Sequence, residues 1–152
     1  MALDWLKSNF EAAKEAAMNE VAKFKNADFM HAVIAACAKI AYADGIVDPK
    51  EKQKMMQFIQ HSEELSVFKT EDVIASWNKT SGSFDFDLDF GSLEAMKKIG
   101  KLRGKPDAAR ALVRISIIIA NSDGNFDDDE KKAVKEVCAE LNVPAEEFDL
   151  DS

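Results

Sequence analysis

One acidic turn occurs twice in this chain. The first copy reads Asp44-Gly45-Ile46-Val47-Asp48-Pro49-Lys50-Glu51-Lys52, and the second reads Asp123-Gly124-Asn125-Phe126-Asp127-Asp128-Asp129-Glu130-Lys131. Matched positions lie 79 residues apart, with Asp, Gly, an apolar residue, Asp, Glu and Lys in the same order. An apolar helical run precedes each copy and an amphipathic run follows it. A repeat of this kind predicts two related helix–turn–helix units, about 28–61 and 106–141, and a fold whose two halves pack by duplication.

The rest of the chain has no competing architecture. Leu3, Leu6, Phe10, Ala13, Ala17, Val21 and Phe24 recur every three or four residues, which predicts an amphipathic N-terminal helix. Its polar face mixes Lys7, Lys14, Glu11, Glu15 and Glu20. A membrane-surface helix would carry a mainly basic face, so this segment, residues 1–25, is expected to pack on or flank the domain of residues 26–152. Asp28 can cap a helix over 29–43, with His31 as an ordinary surface or packing residue rather than a ligand. Asp48 and Pro49 open a helix to about His61, with Met55, Phe58 and Ile59 inward. Thr70-Glu71-Asp72 opens another, carrying Val73, Ile74 and Trp77 and ending at Ser81-Gly82-Ser83.

The stretch Phe84-Asp85-Phe86-Asp87-Leu88-Asp89-Phe90 alternates with period two, a strand signature. Asp is a poor strand former and no partner strand is evident, so the stretch reads as a loop entering a helix. Its Phe side chains would anchor in the core and its carboxylates would face solvent, with metal binding a secondary role for them. Leu93, Met96, Ile99 and Leu102 mark a helix ending at Gly104. Lys97, Lys98, Lys101, Arg103 and Lys105 form the one basic segment, either a solvated helix end or a docking patch for an acidic partner. Pro106-Asp107 starts a helix through Leu112, Ile115 and Ile118 that should be the most buried. After the second acidic turn a helix runs to Leu141, and Pro144–Glu147 makes a short turn, with Phe148 and Leu150 pinning the tail. The reading is all-α, a single compact multi-helix domain.

At 152 residues and 47% hydrophobic composition, the chain suits one domain with a real core. No apolar run reaches the 18 or so residues of a membrane span, and the first residues lack the basic-then-apolar pattern of a secretory signal. The net charge of −8 falls entirely within residues 61–152. Phosphate binding needs clustered cations, so nucleic acid is excluded as a partner and cations or basic protein surfaces are favoured. Cys37 and Cys138 have no CxxC spacing and read as reduced core residues of a cytosolic protein.

Two readings of the acidic turns stand side by side. In the first they are helix punctuation: Gly45 and Gly124 close one helix in the left-handed conformation, and Asp48/Glu51 and Asp127/Glu130 form capping boxes for the next. That leaves Asp44 and Asp123 unexplained. Each places a carboxylate at a helix C-terminus, where the dipole opposes it by a few tenths to ~1 kcal/mol. In the second reading a bound cation relieves that repulsion. Asp44, Asp48 and Glu51, and likewise Asp123, Asp127 and Glu130, supply three carboxylates across a tight turn, an all-oxygen set suited to Ca2+, Mg2+ or Mn2+. The order matches the second half of an EF-hand loop, but Ile40 and Ile119 stand where such a loop would begin. Tyr42 and Asn121 hold the next ligand place, so an ordinary EF-hand is not expected. Copy two has Asp128 and Asp129 where copy one has Pro49 and Lys50, and should bind more tightly.

From about Phe24 to Leu150 the chain also resembles the TerB family of tellurite-resistance proteins. The resemblance is carried by Lys23-Phe24-Lys25, Asp44-Gly45 with Glu51-Lys52-Gln53-Lys54-Met55, and Ser62-Glu63-Glu64-Leu65. It continues through Ser83-Phe84-Asp85-Phe86-Asp87-Leu88 and the run Ser122–Lys131. It implies an all-α fold of duplicated halves whose acidic turns bind divalent cations, with the six carboxylates above as ligands and no catalytic residue. It implies a cytoplasmic adaptor, at the inner face of the bacterial inner membrane, in systems of resistance to tellurite, phage and colicins. The partners implied are a TerC-type membrane protein and TerD-type proteins. A metal-dependent enzyme acting through clustered carboxylates, and an ion-free interaction domain, are the alternatives. No histidine, cysteine or serine stands near either turn as a nucleophile, which weighs against the enzyme.

Overall fold

The computed structural model describes residues 26–43, 45, 47, 53, 56, 57, 68–120 and 127–148. Five α-helices and one 3-10 turn account for most of them: α1 (Ala27–Ala41), α2 (Thr70–Phe86), α3 (Leu88–Gly100), α4 (Pro106–Ala120), α5 (Asp128–Leu141) and a 3-10 turn at Ala145–Phe148. Gln53, Met56 and Gln57 are also helical. No strand occurs among the described residues, so the chain is all-α as its periodicity requires. The helix expected over Leu3–Phe24, most of the helix expected from Asp48 to His61, including Met55, Phe58 and Ile59, and Leu150 lie outside the described residues.

The axis of the bundle is α1. It packs against α2, α3, α4 and α5. Ala32, Ala35, Ala36 and Ala38 are fully enclosed, because four neighbours can approach a helix closely only where its side chains are small. A helix that is apolar on every side belongs in the middle of a protein. Helix α4 is buried too, through Leu112, Val113, Ile115, Ile117 and Ile118, but it packs chiefly against α1 and α5. Residues 106–120 are thus heavily buried, as expected, but the helix with the most neighbours is α1. The buried hydroxyl of Ser116 is satisfied within α4, donating to the Leu112 carbonyl at 2.7 Å.

Local signals set most helix ends. Pro106 takes the first position of α4, where its missing N–H leaves nothing unsatisfied. Helix α5 opens on the expected capping box. The Asp127 side chain accepts from Glu130 N–H at 2.8 Å, and the Glu130 side chain accepts from Asp127 N–H at 3.1 Å. It closes on Asn142 in the left-handed conformation, φ 59°. The 3-10 turn then buries Phe148, with Arg114 over its ring at 5.9 Å and Arg110 paired to Glu147 through two hydrogen bonds of 2.8 and 3.0 Å.

Three expectations are corrected. The cap of α1 is Asn26, accepting from Phe29 N–H at 2.8 Å, because the helix begins two residues before Asp28 could cap it. Asp28 instead lies in the first turn and faces Lys101 at 3.8 Å. Helix α2 does not stop at Ser81-Gly82-Ser83 but runs to Phe86. Its buried face, Val73, Trp77, Thr80, Ser81 and Phe84, keeps helical spacing straight through the apparent breaker. Burial of Phe84 outweighs the ~1 kcal/mol that one glycine costs a helix. Helix α3 ends at Gly100, and tight turns carry the chain through Gly104, φ 87°.

Candidate functional site

The end of the bundle that carries the first acidic turn is built from the close of α1. Tyr42 ends the helix, its N–H donating to the Ala38 carbonyl at 2.9 Å. Gly45 N–H donates back to the Tyr42 carbonyl at 3.0 Å, and Gly45 sits at φ 95°, the left-handed geometry expected of it. Gly124, its counterpart, lies outside the described residues. The Tyr42 ring stacks on Phe84 at 4.8 Å, and its hydroxyl donates to Asp85 Oδ1 at 2.6 Å. The first turn is thereby tied to the far end of α2.

The alternating stretch 84–90 is neither strand nor loop. Phe84, Asp85 and Phe86 are the last residues of α2, and Leu88, Asp89 and Phe90 are the first of α3. Asp87 alone joins them, in extended conformation, and its side chain accepts from Phe90 N–H at 2.9 Å to cap α3. So sharp a corner needs the two helices nearly in contact. A Cβ at Gly91 would stand 2.5 Å from the Phe84 Cα, so only glycine fits. Of the apolar side chains expected in the core here, only Phe84 is buried. Phe86, Leu88 and Phe90 are exposed, as is Leu93 one turn on, because α3 turns its other face, Ala95 and Ile99, to α1. The carboxylates of Asp85 and Asp87 serve the hydroxyl and the cap, while Asp89 faces solvent.

Between these elements lies an open cleft of about 510 Å3. Tyr42 and Gly45 of the first turn line one side, Leu88, Asp89 and Ser92 of α3 another, and Asp129, Lys132 and Glu136 of α5 a third. The repeat thus places part of both copies of the acidic motif, Gly45 and Asp129, on one cleft. Lys39 crosses its floor. Its ammonium pairs with Glu136 at 2.6 Å and donates to Ser92 at 3.0 Å, tying α1, α3 and α5 together. The side chain is largely buried, and it is the one charge between positions 32 and 43. That isolation in an apolar helix was the signal for it in the sequence.

Of the six candidate cation ligands, Asp127 and Glu130 are described, and both stand at the head of α5 in the capping box. Each contributes one carboxylate oxygen to the box. Asp44, Asp48, Glu51 and Asp123 lie outside the described residues. Among the described residues no three histidine, cysteine or acidic side chains meet in a metal-holding group. The described lining is a mixture of ammonium and carboxylate rather than an oxygen cage. A full shell for a hard cation would draw on the four turn carboxylates.

The remaining ionisable groups have structural roles. The basic run is largely paired: Lys98 donates to Thr80 at 3.1 Å, Lys97 faces Glu94 at 3.8 Å, and Arg103 pairs with Glu140. His31 hydrogen-bonds Ser76 at 2.9 Å, and partial burial followed by the nearby Lys98 and Lys101 holds its pKa below the usual imidazole value. Burial pushes the thiols of Cys37 and Cys138 up to about 12, so both stay protonated and inert, as core cysteines should. No helix among the described residues is long and apolar enough to cross a membrane.

Comparison with known proteins decides the family. The family model for tellurite resistance protein TerB matches residues 30–151. The chain belongs to the TerB family. A tellurium resistance protein TerB from Alcaligenes sp is 43% identical over 114 residues, which cover 75% of this chain and 93% of that relative. No solved structure matches this TerB-family chain. The family match takes in both acidic turns and the whole α2–α3 corner.

Proposed function

We propose that this TerB-family chain is a divalent-cation-binding adaptor of a bacterial tellurite, phage and colicin resistance system. Its two acidic turns take Ca2+, Mg2+ or Mn2+, and the cation orders the acidic end of the bundle for docking to membrane-associated partners. The ligands are Asp44, Asp48 and Glu51 in the first turn and Asp123, Asp127 and Glu130 in the second. Partners of the TerC and TerD types, and a place at the cytoplasmic face of the inner membrane, are part of the same proposal, supported by the family resemblance. The observation that carries the reading is the shared cleft. Gly45 of copy one and Asp129 of copy two line the same opening, which supports a reading in which the two motifs act together. In this reading the turn carboxylates would repel one another when brought together, and a hard cation would relieve that repulsion.

Nothing in this reading requires turnover, and the reading is of a non-enzyme. Titration of the full chain with Ca2+, Mg2+, Mn2+ and Zn2+, followed through backbone amide shifts, tests it. Movement of the Gly45 and Gly124 amides with the oxygen-seeking ions supports it, with copy two saturating first. Amides that stay still at both glycines refute it.

A further inference from the structure

The α2–α3 corner leaves a run of large apolar side chains that neither the core nor the cation reading uses. Phe86 is 81% exposed, Leu93 56%, Leu88 44% and Phe90 43%. They form a patch rather than scattered singles. Phe86 and Phe90 meet edge to face at 5.9 Å, and Phe90 and Leu93 are neighbours one turn apart on α3. Leu88 extends the patch to the first acidic turn, its Cδ1 lying 3.7 Å from where a Cβ at Gly45 would be. A shallow groove of about 380 Å3 runs there between Val47, Phe86 and Leu88. Contiguous exposed apolar surface marks a site of interaction.

The charges around the patch select its occupant. Residues 84–94 contain Asp85, Asp87, Asp89 and Glu94 and no cation. Glu94 faces Lys97 at 3.8 Å and Asp85 accepts from Tyr42, which leaves Asp87 and Asp89 as the acids of the rim, with Lys39 and Lys132 across the cleft from Asp89. An anionic lipid surface would be repelled. A second copy docking face to face would set these acids against their own images. A small apolar ligand would gain little from side chains this open, since ligand sites enclose most of their guest. An amphipathic helix with Leu-like residues on one face and Lys or Arg on its flanks satisfies both the aromatics and the acids.

We propose that the α2–α3 corner docks a cationic amphipathic helix of a partner protein, with Phe86 and Phe90 as anchors and Asp87 and Asp89 as its charged rim. The proposal rests on the adaptor reading only in requiring a protein partner. The cation is read separately at Gly45 and Gly124, so either idea can fail alone.

The test is a titration of the full chain with a synthetic amphipathic Leu/Lys helix peptide, run once with a chelator and once with Ca2+. The peptide is expected to bind in both. Phe86→Ser combined with Phe90→Ser should weaken binding about ten-fold or more, as loss of aromatic anchors does. Asp89→Lys, which removes no packing, should weaken it about three-fold and flatten its salt dependence. The proposal is overturned by absence of binding, by equal binding of a Leu/Glu peptide of the same pattern, or by undiminished binding in both variants. Self-association that the double Phe variant abolishes would assign the corner to a second copy and overturn it. Capture by phosphatidylglycerol vesicles that the same variant abolishes would assign it to lipid, with the same consequence.

Discussion

In α1 every residue from Phe29 to Ile40 except His31 and Lys39 is buried, whereas at the α2–α3 corner Phe86, Leu88, Phe90 and Leu93 are left at the surface. Both regions are rich in apolar residues, Phe29–Ile40 the more so, at ten of twelve against five of ten in Phe84–Leu93. They differ in the size of their side chains and in what surrounds them. Four helices close on α1 because alanines let them. At the corner, one residue joins two helices, and only the inner face of each can reach the core. The outer faces stay exposed, and large apolar residues there add little to stability.

That contrast can be broken by mutation, and the largest effect belongs to the interior. Leu112→Ala, in the α4 face packed on α1, should cost about 2–5 kcal/mol in denaturant unfolding, because both the transfer energy and a cavity are charged to the fold. Gly91→Ala should come next, at about 1–3 kcal/mol, since its methyl would drive into the backbone of Phe84. An Ala there that is neutral would mean that the corner is looser than described. Asp127→Ala should lose about 0.5–2 kcal/mol through the capping box at the head of α5. Smallest of all, Phe86→Ser should change stability by no more than ~0.5 kcal/mol, because the ring is already in water. A large loss on Phe86→Ser would erase the distinction between the two regions.

What could be read from the sequence was what is decided locally. The Asp127–Glu130 box and Pro106 at the start of α4 are contacts within one turn, so residue type and spacing suffice. At the corner, two helix ends joined by a single extended residue imitate the period of a strand, and with no partner strand in the sequence the stretch reads as a loop entering a helix. Only the long-range contacts of Tyr42 with Phe84 and Asp85, 42 and 43 positions away, show which structure wins. Ser81-Gly82-Ser83 failed as a stop signal for the same reason. Within the candidate site, the pairing of Lys39 with Glu136 joins α1 to α5 across almost a hundred positions. No local pattern encodes that contact, although a lone lysine in an alanine-rich helix hints at it.

The central claim is that the duplicated turns hold a cation rather than merely punctuating helices. It is tested most directly by thermal unfolding with and without Ca2+, in the parent chain and in an Asp44→Asn/Asp123→Asn double variant. Those two carboxylates are the ones that capping leaves unused. At a hundred-fold excess of ion over Kd the parent should gain about 2.7 kcal/mol, or roughly 5–10 °C in Tm. The double variant should gain almost nothing and, without ion, should be as stable as the parent or slightly more so, because a repulsion has been removed. A parent whose Tm ignores Ca2+, Mg2+ and Mn2+ alike, or a variant that gains as much as the parent, would contradict the account.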